Sequence, residues 1–281
     1  MKCNGLAIVI PLHLAILTVC TGTLSAGEHE TLVIAASPSL TAPLRALAEG
    51  YEKSHPQVHV RLYFDNGLDM RRLIAGMQNN PAGKYFIEKG PIHLLAPGGD
   101  ELIARLESKH YVLPGTTHEY AEERLVLVVP ESLTDAPDSF EAFGKAKRMR
   151  LAIADPQRTN LGAQTQGVLD AYQMKGKVQL DEASDFRGVL DHVLSGEADA
   201  GIIYMHQAVK EQERVRIVAV ADRGYRPTVH SMAMERYCPN RPLCNDFLAY
   251  AQSPDGQQRI RAAGYVSPSG NGSAPASPGK P

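Results

Sequence analysis

The chain has 281 residues, 43% hydrophobic and 21% charged, an ordinary globular composition with enough apolar surface for two compact lobes. Its 29 basic and 31 acidic residues are mixed along the sequence and leave a formal charge of −2, with no basic run to neutralise neighbouring phosphates. A nucleic-acid partner is therefore not expected. At the amino end, Lys2 precedes an apolar stretch from Leu6 to Val19 and small residues ending at Ser25-Ala26. Residues 1–26 read as a secretory signal that places the mature protein in the periplasm. A lipoprotein signal ending at Cys20 is the alternative, but Val19 is bulky for that cleavage. Cys3 and Cys20 leave with the signal, so Cys238 and Cys244 remain as an even pair in an oxidising compartment and are expected to form a disulfide. Their spacing, with no paired histidines nearby, is a poor zinc signature, and neither a metal nor a cofactor is expected.

Short β-branched runs at residues 31–36, 58–64, 92–95, 125–129, 151–154, 201–204 and 215–220 read as strands. Between them, Met70, Leu73, Ile74 and Met77 share one helical face, as do Phe186, Val189, Leu190, Val193 and Leu194; both stripes are expected to pack a core. This alternation predicts an α/β fold of two lobes, each a mainly parallel sheet flanked by helices, with ligands bound beyond the carboxyl ends of the strands. Thr116-Thr117 and the turn-rich stretch 222–227 mark the expected crossings. Lobe 1 then comprises residues 31–117 and 226–266, and lobe 2 residues 118–225. The Ser-, Gly- and Pro-rich tail 267–281 is expected to be disordered.

Candidate site residues cluster where strands run into helices. The first strand enters Ser37-Pro38-Ser39-Leu40-Thr41, after which Leu40, Leu44, Leu47 and Tyr51 continue on a helical face. Ser39 or Thr41 could cap that helix, or the hydroxyls could join its free N–H groups in holding an anion. Further helix starts follow Asp65-Asn66-Gly67, Asp155-Pro156 and Ser184-Asp185. His93, His206 and His230 have two readings, as neutral donors or cations at the cleft or as structural histidines.

The order of these pieces over residues 31–266 resembles the periplasmic molybdate-binding proteins of ABC importers, within the type II solute-binding proteins. The resemblance is carried by Ala35-Ala36-Ser37-Pro38-Ser39-Leu40-Thr41, Arg124 to Pro130, Ile153-Ala-Asp-Pro156 with Gly162, Asp185 to Leu190, Ser195 to Tyr204, Phe247-Leu248, Ser253-Pro-Asp-Gly256 and Gly264-Tyr265. It implies an oxyanion held by hydroxyls, backbone N–H groups and one tyrosine. The positions are Ser39, the N–H groups of Leu161 and Phe186, and Tyr204, with Ser37 nearby. The family's second serine falls in Asp65-Asn66-Gly67, leaving Asn66 and Gly67 as donors. Asn160 stands where the family has proline, His93 where it has aspartate, and residues 77–90 contain an insertion.

The glycine spacing of Gly162 to Gly167 is that of a phosphate loop, but Val168-Leu169 replaces the lysine and hydroxyl residue such a loop needs. No Gly-x-Ser-x-Gly or His-Glu-x-x-His motif is present, so an enzyme is not expected. The expected protein is a monomeric binding component that captures molybdate, tungstate or sulfate for an inner-membrane ABC permease. The alternatives are the same fold holding a small organic acid or phosphorylated metabolite, and a receptor or adhesion module.

Overall fold

The computed structural model describes residues 29–64, 86–87, 90–146 and 149–268. The signal segment, Asn66 and Gly67, the helical stripe from Met70 to Met77, most of the 77–90 insertion and the tail beyond 268 lie outside those residues.

Two five-stranded sheets organise the molecule. The first contains β1 (Glu30–Ala36), β2 (Val58–Phe64), β5 (Leu94–Ala96), β6 (His118–Glu122) and β12 (Val229–Met234), in the order β2-β1-β5-β12-β6. A short antiparallel pair, β3 (Phe86–Ile87) and β4 (Gly90–Pro91), precedes β5. The second sheet contains β7 (Leu125–Pro130), β8 (Arg150–Ala154), β9 (Gln179–Ala183), β10 (Ala200–Tyr204) and β11 (Val215–Val220), in the order β11-β7-β10-β8-β9. In each sheet one half is parallel, as the strand–helix alternation predicts: β2-β1-β5 in the first and β10-β8-β9 in the second. The other half of each is antiparallel, because the chain enters and leaves there on strands joined without a covering helix.

Alternation along β1 divides the core of the first lobe. Leu32, Ile34 and Ala36 face α1 (Thr41–Ser54), α7 (Arg241–Gln252) and α8 (Pro254–Ala262), packing with Leu44, Leu47, Phe247 and Ile260. Ala35 faces the other way and meets Ile103 and Leu106 of α2 (Asp100–Ser108). In the second lobe, Leu125 to Val129 are buried throughout, because helices cover both faces of the sheet. Those helices are α3 (Phe140–Lys145), α4 (Asn160–Ala171), α5 (Phe186–Ser195) and α6 (Met205–Lys210). The Val189, Leu190 and Val193 stripe of α5 is core, as its period requires. Cys238 and Cys244 form a disulfide across the turn between β12 and α7. Among the described residues, no helix is long and apolar enough to cross a membrane.

The first crossing differs from the expected position after Thr117. His118–Glu122, expected to open the second lobe, pairs with β12 in the first sheet, so the chain changes sheets at Glu123 and Arg124. Strand β6 is an edge strand, and its mixed sequence concealed which sheet it completes. The second crossing runs between Val220 and Val229, around the turn-rich stretch. The crossings touch: Glu123 N–H donates to the Thr228 carbonyl at 2.9 Å.

Candidate functional site at the strand ends

On the first lobe, β1 leaves the sheet at Ser37 and tightens into a 3-10 turn, Pro38–Leu40, before α1 begins. Buried Leu40 anchors the turn, while Ser39 is exposed. Neither serine caps the helix. Their hydroxyls bond to each other at 3.1 Å, and Thr41 Oγ1 donates to the Pro38 carbonyl at 2.7 Å. The capping role open to Ser39 or Thr41 is therefore not taken. Beside Ser37 runs the Gly98-Gly99 loop, with both residues at positive φ; a Cβ on Gly98 would lie 3.2 Å from that of Ser37, so the loop can approach this closely only as glycine.

Caps distinguish this region from the rest of the molecule. Side chains of Ser139, Thr159, Asp185, Asn240 and Ser253 cap α3, α4, α5, α7 and α8. Helices α1 and α2 have no side-chain cap, and they follow the carboxyl ends of β1 and β5, whereas at α6 the Gln207 side chain accepts the Tyr204 N–H at 3.2 Å. Uncapped starts leave backbone donors and a positive dipole end for another acceptor.

On the second lobe, the parallel strands β8, β9 and β10 deliver Leu161, Phe186 and Tyr204 to one sheet end. Thr159 caps α4 by accepting the Gly162 N–H at 2.9 Å, leaving Asn160 and Leu161 as first-turn donors. Asp185 caps α5 by accepting from Arg187 and Gly188 at 2.9 and 3.1 Å, leaving the Phe186 N–H outside the cap. Burial, reinforced by the charge of Glu123, pushes the Tyr204 hydroxyl far above its usual range, so it keeps its proton. That hydroxyl donates to Gln164 Oε1 at 3.0 Å and accepts from Asn160 Nδ2 at 3.4 Å.

The three histidines separate into different roles. His93 is buried within the first sheet: Val33 N–H donates to its Nδ1 at 3.2 Å, and burial lowers its pKa. It is a structural histidine, and its place after β4 does not open it to the strand ends. His230 accepts the Gly99 N–H on Nδ1 at 3.1 Å, so its other nitrogen carries the proton. That Nε2 and His206 Nδ1 each lie 3.5 Å from Glu123 Oε1, at the first crossing. Burial lowers the His206 pKa, against the raising effect of Glu123. His206 also stacks between Tyr204 and Tyr265, at ring separations of 5.9 and 5.0 Å. Tyr265 donates to the Ser39 carbonyl at 3.0 Å. A continuous chain of contacts thus joins Tyr204 on the second lobe to Ser39 on the first. Glu123, Gln164 and Tyr265 carry no local signal of this placement, because each is brought in by a different segment.

Among the described residues, one group of side chains could converge on a metal: Asp181, His192 and Glu197 on the flank of β9 and α5. There the His192 ring bridges two carboxylates, with Nδ1 2.7 Å from Asp181 and Nε2 3.8 Å from Glu197. This is a histidine–carboxylate chain on the flank of the second lobe.

Two α/β lobes joined by paired crossings, with donors gathered at the ends of their parallel strands, define a solute-binding protein of the two-lobed class. The chain belongs to the bacterial extracellular solute-binding protein family, whose model matches residues 32–266. It is 25% identical over 255 residues to YvgL of Bacillus subtilis, named as an ABC transporter substrate-binding lipoprotein, with 88% of this chain and 92% of that one covered. It is also 25% identical over 241 residues to the molybdate-binding protein ModA of Haemophilus influenzae, covering 83% and 89%. The fold is similar to the substrate binding domain assigned to a molybdenum ABC transporter of Clostridium difficile: TM-score 0.70, 21% identity, 84% of this chain and 98% of that one.

Proposed function

We propose that the protein is the periplasmic, monomeric binding component of an ABC importer and captures a small tetrahedral oxyanion, of the molybdate or tungstate type, between its lobes. The observation that carries this reading is the Ser37–Ser39 hydroxyl pair, which leaves α1 uncapped at the end of β1. Those hydroxyls and the first-turn N–H groups of Leu161 and Phe186 are donors suited to an anion that has only acceptors, and the protonated Tyr204 hydroxyl, which donates to Gln164 in this structure, is proposed to turn to the anion when it binds. Asn66 and Gly67 are proposed to complete the first-lobe wall in place of the family's second serine. Binding without chemical change fits this set, since it contains neither a nucleophile–base pair nor a general acid near neutrality. The molybdate-binding relative of Haemophilus influenzae supports the ligand class, and the Bacillus subtilis relative supports the transport role. Isothermal titration of the mature protein with molybdate, tungstate and sulfate should give one-to-one heats, strongest for the larger oxyanions. No heat with any of the three would remove the oxyanion assignment.

A further inference from the structure

Tyr204 does not offer its proton to the cleft in this structure. Its hydroxyl points to Gln164 Oε1 at 3.0 Å, and the amide cannot turn over without loss, because Gln164 Nε2 donates to the Arg226 carbonyl at 3.2 Å. Asn160 Nδ2 approaches the same hydroxyl at 3.4 Å and takes one lone pair. A hydroxyl has one proton and two lone pairs, so the face left to a ligand is an acceptor. The reading of the cleft as a set of donors needs the reverse.

We infer that Gln164 is a specificity-determining residue of the cleft: by accepting the Tyr204 proton it weakens binding of a fully deprotonated tetrahedral oxyanion and favours one that brings its own O–H. This rests on the oxyanion reading of the site. A molybdate ion must draw the Tyr204 proton away from Gln164, leaving a half-buried amide oxygen without its donor. A hydrogen phosphate ion can leave the Tyr204–Gln164 bond intact and place its O–H against the remaining lone pair. Asn160 is the second member of the device, since it holds the hydroxyl in the orientation that faces Gln164.

The test is titration calorimetry of wild type, Gln164→Met, Tyr204→Phe and the double variant with molybdate and with phosphate at neutral pH. Methionine keeps the length of the side chain and removes the acceptor; the Arg226 carbonyl it abandons belongs to an exposed residue that water can reach. Gln164→Met should tighten molybdate roughly three- to tenfold, weaken phosphate, and lose its molybdate gain when Tyr204 is also phenylalanine. Gln164→Leu is measured alongside, and thermal melting confirms that each variant folds. Wild-type binding of molybdate with no tightening in either Gln164 variant overturns the inference and leaves the oxyanion reading standing. A gain that survives Tyr204→Phe also overturns it, because the effect would not pass through the hydroxyl. No binding of either anion by any folded variant overturns the oxyanion reading, and the inference falls with it.

Discussion

Glu235 is the buried carboxyl most exposed to pH at the residue scale. It lies at 4% accessibility just beyond β12, where burial raises its pKa to about 7, against N–H donation from Tyr237 at 2.5 Å. The folded protein therefore holds a proton that the unfolded chain releases near the ordinary glutamate value. The stability this contributes is complete below that value and is lost as pH rises through about 7. Glu235→Gln keeps the acceptor and removes the charge. It should unfold at higher urea than wild type at pH 8, by on the order of 1–3 kcal/mol, and match it near pH 4. Equal midpoints at pH 8 would show that the carboxylate is solvated. His206 works in the opposite direction, since burial lowers its pKa and the folded state is penalised as pH falls below the ordinary histidine range. Single residues were legible where their neighbours in sequence set their place, as at Tyr204, which ends an apolar strand. They were illegible where the role depends on a distant partner: nothing around Gln164 indicates that its amide meets Tyr204 and the Arg226 carbonyl.

Hydrophobic period marks the elements, and the long apolar strands and the stripe on α5 match it. Three strands of the two main sheets escaped: β6 and β9 are sheet edges with polar residues such as Gln179, Asp181 and Glu182, while β12 is an interior strand whose apolar run is broken by His230 and Ser231. An edge strand has solvent on one side and needs no apolar run. Glycine spacing in α4, which imitates a phosphate loop, has a packing cause. A Cβ on Gly167 would lie 1.9 Å from the Gly224 carbonyl oxygen, and Gly224 itself sits at φ +89°. The helix and the second crossing meet backbone to backbone. Gly167→Ala must push them apart, with an expected loss of about 1–3 kcal/mol in urea unfolding. An unchanged midpoint would mean that this contact is loose.

Across the whole molecule, the two crossings between the sheets are hydrogen-bonded to each other through Glu123 and Thr228. Ligands held by both lobes favour a closed arrangement and stabilise the fold in proportion to occupancy. Molybdate at 100 times its dissociation constant should add about 2.7 kcal/mol, or roughly 5–10 °C in melting temperature for a chain of this size. Small-angle scattering should show a smaller radius of gyration in the same solution. A thermal shift without compaction would place the ligand on one lobe alone.

Hydrophobic period and strand–helix alternation are local properties, so they reveal the α/β class, the helical core stripes and the strand ends where Ser39, Leu161, Phe186 and Tyr204 lie. The cysteine pair was legible for the same reason, since Cys238 and Cys244 are six positions apart. Long-range packing sets the rest: β6 belongs to the first sheet, His93 serves the backbone of β1 while His206 and His230 flank Glu123, and the Tyr204 proton faces Gln164. Each of these depends on contacts between segments 40 or more residues apart, or on which sheet edge a strand completes. Local pattern carries no information about either.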